Sequence, residues 1–381
     1  MQPLQPYPVL RNLLAPLRRS QQKSIAWALL ALLHVGRACC AQMARWLSGQ
    51  LGIQMRSALN RVYRLLRGDR VDWEAVEQQL LRLLSRRLGR RLLIALDWTE
   101  WRGSLRMLVA SVPIGTRALL LRAKVIDYRQ LTESQNRVED AFVQRMATLL
   151  QRCGLQAVLL ADRGFRRVSL LRRLQQLRLG FVIRLCDNVQ VRSAAHQKAF
   201  ALRRRGLPPG QAVDLAAVWL RHDGAVAVRV LGLWAAGCKQ PWWLATNLTE
   251  PPERIVSYYE RRSSVEQHIR DHKGCRFGSQ LAWSQLRTPR YLERLARLLG
   301  LAELLWTAVG SWAAQQQPSL LWLRPGGSPR CSLLRLGREL VQWLATKTKQ
   351  KLTARRVAAL LPQPQLRRFA WPTQTPSLPP P

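Results

Sequence analysis

Two short apolar runs, each closed by an aspartate, limit the folds open to this chain more than any other feature. Leu92-Leu93-Ile94-Ala95-Leu96 leads into Asp97, and Ala157-Val158-Leu159-Leu160-Ala161 leads into Asp162. An apolar run of this length without alternation leaves no face for water, which predicts strands buried on both sides of a sheet. Leu105 to Val112 and Ala118 to Ile126 read as two further strands, an antiparallel meander on the first. A helix is expected from about Glu133 to Arg152, and Arg163-Gly164-Phe165 turns into another from Arg167 to Leu177. With Phe181-Val182-Ile183-Arg184-Leu185 as a fifth strand, the order β-β-β-α-β-α-β predicts an α/β fold: a mixed sheet with helices on its faces.

The flanks read differently. Ser24 to Leu33, Arg37 to Leu47 and Gln54 to Leu66 read as three short helices separated by Gly-containing turns. The third carries Arg56, Asn60, Arg61, Arg64 and Arg67, so the group resembles a helix-turn-helix reader of DNA. Three-helix packing is also common in proteins that touch no DNA. After Asp187 the pattern loosens across Leu207-Pro208-Pro209-Gly210 and returns as strands at Ala225 to Leu233 and Trp242 to Thr246, as an inserted subdomain would. Helical periodicity resumes from Pro289 to Trp312 and from Leu333 to Thr346. The expected units are an N-terminal helical domain over 1–88, a core over 89–186, a β-rich insertion over 187–250, core helices over 251–316, a helical region over 317–361 and a Pro-rich disordered tail over 362–381.

Charge narrows the partner. With 61 Lys and Arg against 22 Asp and Glu, the formal charge is +39. Such an excess calls for a polyanion, and nucleic acid is the natural one, because neutralising phosphates releases their counterions. A membrane surface is the competing sink, but Ile25 to Leu33 is far short of a span of about 20 residues and follows no signal-peptide pattern. It reads as a buried helix of a cytoplasmic protein. The seven cysteines include no C-x2-C pair, which supports neither a zinc ribbon nor a disulfide scaffold.

The chemistry-bearing residues converge on acids. Asp97 and Asp162 each close an apolar strand, where a sheet delivers side chains into a crevice. A lone Asp in that place is more often a turn residue or helix cap, and Glu100, Asp187, Glu260 and Asp271 are rivals. More specific is Tyr259-x2-Arg262-x3-Glu266-x6-Lys273. On one continuous helix these positions fall within roughly 60° of each other, with Arg270 beside them. A carboxylate ringed by cations on one face suits a site that holds a divalent metal and a phosphate together. His268 and His272 also share a face at metal-ligand spacing, but Ile269 stands where a zinc-protease motif needs Glu. A wet helical flank or phosphate contacts account for the pair.

Together, Ala95-Leu96-Asp97, Ala161-Asp162-Arg163-Gly164-Phe165 and Tyr259-x2-Arg262-x3-Glu266-x6-Lys273 resemble the YREK-signature DDE transposases of bacterial insertion sequences. The resemblance extends over most of the chain and implies an RNase H-like core with a β-rich insertion between the second Asp and the Glu. It implies Asp97, Asp162 and Glu266 as a catalytic triad holding two Mg2+ ions, or Mn2+, and Tyr259, Arg262 and Lys273 as contacts to phosphates at the cleaved end. Arg184 resembles a further phosphate contact. Of the pair Trp242-Trp243, which face opposite ways on a strand, Trp243 is the expected platform for a base flipped from the duplex. The implied partners are double-stranded DNA at terminal inverted repeats and at the target, a second copy in a homodimeric synapse, and no membrane, in the bacterial cytoplasm at the nucleoid. The alternative is an inactive or domesticated nucleic-acid binder on the same scaffold.

Overall fold

The structure is a computed structural model that describes residues 8–115, 117–192, 198–221, 224–235, 238–274, 278–317, 320 and 331–347. The tail expected at 362–381 lies outside the described residues. Five helices come first: α1 (Pro8–Leu14), α2 (Arg19–Val35), α3 (Cys40–Leu51), α4 (Met55–Arg67) and α5 (Trp73–Leu88). Three were expected. The two additional helices are α1 and α5; α5 starts where the Asp72 side chain accepts the Ala75 amide at 3.0 Å, and it buries Val76, Leu80, Leu81 and Leu84 along one stripe.

The central sheet follows: β1 (Arg91–Glu100), β2 (Leu105–Ile114), β3 (Arg117–Asp127), α6 (Gln135–Arg152), β4 (Gln156–Ala161), α7 (Val168–Gln176) and β5 (Gly180–Leu185). Spatial order is β3-β2-β1-β4-β5, with β2 antiparallel to its neighbours and β4 parallel to both β1 and β5. That is the RNase H-like arrangement. The continuous apolar runs fall on β1 and β4, where Leu92, Ile94, Ala95, Val158, Leu159 and Leu160 are all fully buried. Covering each such Leu or Ile is worth about 1.5 to 3 kcal/mol.

Five more strands extend the sheet: β6 (Gln190–Arg192), β7 (Phe200–Ala201), β8 (Ala212–Arg221), β9 (Ala225–Leu233) and β10 (Trp242–Thr246). They do not form a sheet of their own. Antiparallel pairing of β10 with β5, from Trp243 opposite Leu185 to Thr246 opposite Val182, joins them to the core as a ten-stranded sheet.

Four helices complete the described chain: α8 (Pro252–Glu260), α9 (Ser263–Lys273), α10 (Pro289–Gln316) and α11 (Leu333–Lys347). α9 lies against β1, β2 and β3, while α10 packs on β3, α2, α4 and α11. Being enclosed, α10 is apolar nearly all round, with Leu292, Leu295, Leu298, Leu299 and Trp306 each fully buried. Where α10 crosses α11, Gly310 and Gly337 let the two backbones touch; a Cβ at either would strike the Leu333 or Trp306 carbonyl. One apolar core runs without a break from Leu10 to Val341. Among the described residues no single helix is long and apolar enough to cross a membrane, and α2 with α3 qualifies only as a pair bent by 107°.

Candidate active site

Asp97 does not end its strand. β1 continues to Glu100 because β2 keeps pairing with it, Asp97 lying opposite Val109. On its other side β1 loses its partner: the last pair with β4 is Ala95 with Leu160. Two residues beyond that pair stand Asp97, still within β1, and Asp162, one residue past the end of β4, level with each other and on the same face where the strands part. Asp162 begins the short 3-10 turn Arg163–Phe165 and accepts the Gly164 amide at 2.8 Å. Gly164 permits this turn, since a Cβ there would press on Asp162 Oδ1 at 3.0 Å.

Glu266 arrives from the first turn of α9. The three acids meet: Asp97 is pushed up to about 6, chiefly by burial and further by the charges of Asp162 and Glu266, with Arg262 acting against the rise. Arg262 occupies the space between the acids, its Nη2 2.5 Å from Glu266 Oε1 and its Nη1 3.9 Å from Asp97 Oδ2.

Two walls of aromatic and cationic side chains flank the acids. On one, Tyr259 meets Trp242 edge to face at 5.3 Å, and the Arg184 guanidinium lies 6.0 Å from the Trp242 ring. On the other, Lys273 sits 5.3 Å from the Trp101 ring and donates to the Glu100 carbonyl. Beyond Lys273 opens a cavity of about 430 Å³ lined by Glu100, Trp101, Arg102, Lys273, Trp283 and Gln285. Trp283 at its rim is 62% exposed.

Residues 89–292, more than half of the chain and inclusive of all three acids, match the family profile of the transposase DDE domain. The chain belongs to the DDE transposase family. No curated protein matches it. Among solved structures, seven chains match. One is the cryo-EM structure of a piggyBac transposase synaptic complex with hairpin DNA, at 12% identity, a TM-score of 0.43, and coverage of 93% of this chain and 81% of that one.

Within this DDE transposase chain several expected positions shift. The stripe from Tyr259 to Lys273 is not one helix, because the chain leaves the α-helix at Arg261 and Arg262 between α8 and α9. Bonds across the break reach back three residues, Arg262 N to Tyr259 O and Val265 N to Arg262 O. The Ser263 and Ser264 hydroxyls donate to the Glu260 and Arg261 carbonyls, competing with the helical pattern. Trp243, the expected base platform, is only 2% exposed and packed on Gly232, so its ring is covered by the protein. The ring that faces the site is Trp242. Tyr259 is 4% exposed, which makes it a wall of the site rather than a free surface group. Arg270 is exposed on α9, as are Arg56 and Arg61 on α4.

His268 and His272 are not a wet flank: they are 1% and 2% exposed, against the buried Glu303 of α10. Burial pushes His268 down to about 3, His272 to about 4 and Glu303 up to about 7. Other supports had no signal in the motif spacing. Trp98, next to Asp97, donates to Glu139 Oε1 at 2.8 Å, and Glu139 pairs with Arg167 at 3.3 Å, bracing β1 from α6. Only the fold brings those residues together.

Proposed function

We propose that this chain is a YREK-type DNA transposase of a bacterial insertion sequence, which cuts at the element's terminal inverted repeats and joins the freed 3' ends to target DNA. The observation that carries the reading is the convergence of Asp97, Asp162 and Glu266 where β1 and β4 part, with Arg262 between them.

The donor set fits Mg2+ or Mn2+. Three carboxylates without nitrogen or sulfur donors are the oxygen set that such ions take, and Asp97 is raised first by burial and then by its two acidic neighbours. Asp97, Asp162 and Glu266 would hold the metal, whose chemistry when bound is to activate a water and neutralise charge on the phosphodiester. Arg262 holds the carboxylates in register, and its fork suits a phosphate oxygen of the cut strand. Lys273 places a second cation beside Asp97. Trp242, flanked by Arg184, is the surface for an unstacked base at the end. The exposed arginines of α4 serve to hold flanking duplex by its phosphates, and two copies pair in a synapse of two ends.

A DNA fragment carrying the terminal repeats tests this. The full chain with Mg2+ or Mn2+ should nick it at the repeat boundary. Asp97→Asn, Asp162→Asn and Glu266→Gln should each lower nicking by at least about a hundredfold while end binding persists. Nicking that survives any of the three removes that residue from the triad. An intact chain that binds the ends but never cuts is a DNA-binding relic.

A further inference from the structure

The buried cluster on the far side of α9 is a second site, chemically unlike the first. His268 and His272 stand one turn apart on α9, their rings 4.1 Å apart, and both face Glu303 of α10. His272 Nε2 is 2.9 Å and His268 Nδ1 3.5 Å from Glu303 Oε2. One ligand atom from each residue falls within 4.8 Å of the others.

Two features set this cluster apart from ordinary buried hydrogen bonding. All three side chains are at most 3% exposed, yet with the Ala118 carbonyl facing one nitrogen of the His268 ring, the other ring nitrogen and Oε1 of Glu303 lack a hydrogen-bond partner. Each such orphan costs about 1 to 3 kcal/mol. Moreover, the two histidine nitrogens stand about Glu303 Oε2 at separations that a shared ion also permits. Donors at about 2.0 to 2.1 Å from a tetrahedral centre lie about 3.3 Å from one another, and the two measured separations bracket that value.

We propose that His268, His272 and Glu303 bind a structural zinc ion that ties α9 to α10. Two imidazoles and one carboxylate are a donor set zinc favours over magnesium, so this site and the all-oxygen triad select different metals. The two oxygens of one carboxylate lie too close together to fill two tetrahedral corners, so a water takes the fourth position. The Ala118 carbonyl faces the His268 ring and is placed to fix its tautomer, as outer partners of zinc-bound histidines do. Asp271 and Arg338, which also face Glu303, stay outside the donor set as neighbouring charges. The ion acts on structure: it anchors the helix that carries Glu266 two residues before the first ligand.

The proposal does not rest on the transposase reading, and its test needs no DNA. The full chain, stripped with chelator and titrated with Co2+ in excess Mg2+, should take up one equivalent and develop the visible absorption of a tetrahedral site. Zn2+ should displace the Co2+ and raise the melting temperature. An Asp97→Asn, Glu266→Gln double variant should take up Co2+ and exchange it for Zn2+ as the unaltered chain does. His268→Gln with His272→Gln should bind more than about tenfold more weakly. Uptake of neither metal by the folded, unaltered chain overturns the proposal, whatever the variants do. Equally, Co2+ binding lost in the Asp97→Asn, Glu266→Gln variant and kept in the histidine variant assigns the metal to the triad and overturns it.

Discussion

Arg262 Nη1 stands 3.9 Å from Asp97 Oδ2, both side chains less than a fifth exposed. The pairing does not fully satisfy the aspartate, which still titrates at about 6 because burial and its acidic neighbours outweigh the one cation. The native state therefore holds the Asp97 proton more tightly than the unfolded chain does. This group's penalty on stability is absent below its unfolded pKa near 3.8, grows as pH rises toward 6, and is complete above that.

It follows that Asp97→Asn stabilises the metal-free protein at pH 7.5 even as it removes activity. A rise of about two pKa units sets an upper bound of about 3 kcal/mol, and a gain of about 1 to 3 kcal/mol is expected. Melting curves at pH 7.5 and pH 4 check it. A gain equally large at pH 4 would show that the buried charge is not its source.

Arg262→Lys keeps the charge but not the fork. Since the guanidinium reaches Glu266 and Asp97 from one position, an ammonium can hold only one of them well. Cleavage of the terminal repeat should fall by at least about tenfold, with near-normal melting. Full activity in the lysine variant would reduce Arg262 to a point charge.

The two adjacent tryptophans should separate stability from binding. Trp243→Ala empties a closed site and should cost about 3 to 5 kcal/mol in urea unfolding. Trp242→Ala should leave stability nearly intact and weaken binding to pre-cut ends by about 1 to 3 kcal/mol. The reverse pattern would restore Trp243 as the stacking residue.

Lys273 lies between Trp101 and the Glu100 carbonyl at the mouth of the 430 Å³ cavity. Lys273→Ala should weaken end binding at all sequences and reduce the slope of log K against log salt by about 1. An unchanged slope would place this cation away from the phosphates.

Legibility in the sequence tracked how far each feature depended on local pattern. Strands β1 and β4 stood out because burial on both faces leaves an unbroken apolar run, and their closing acids marked the crevice. The extent of β1 past Asp97 was hidden, since it depends on β2 continuing alongside. β8 escaped notice because the residues after Asp187 break the alternation that marked β9. The break between α8 and α9 has no glycine or proline to announce it; the Ser263 and Ser264 hydroxyls take up the Glu260 and Arg261 carbonyls there. The His268 and His272 spacing was visible, but not the Glu303 that arrives from thirty-one residues downstream. Burial separated Trp242 from Trp243, and no sequence period assigns which of two neighbours faces inward.

The hydrogen bonds between β5 and β10 leave the sheet without a seam between the acidic crevice and the arm carrying β8 and β9. To change the span from Asp162 to Trp242 by swinging that arm, the pairing of β5 with β10 has to break. If this face takes a DNA end as proposed, distortion of the duplex to fit that span breaks no hydrogen bonds between β5 and β10, whereas distortion of the sheet does.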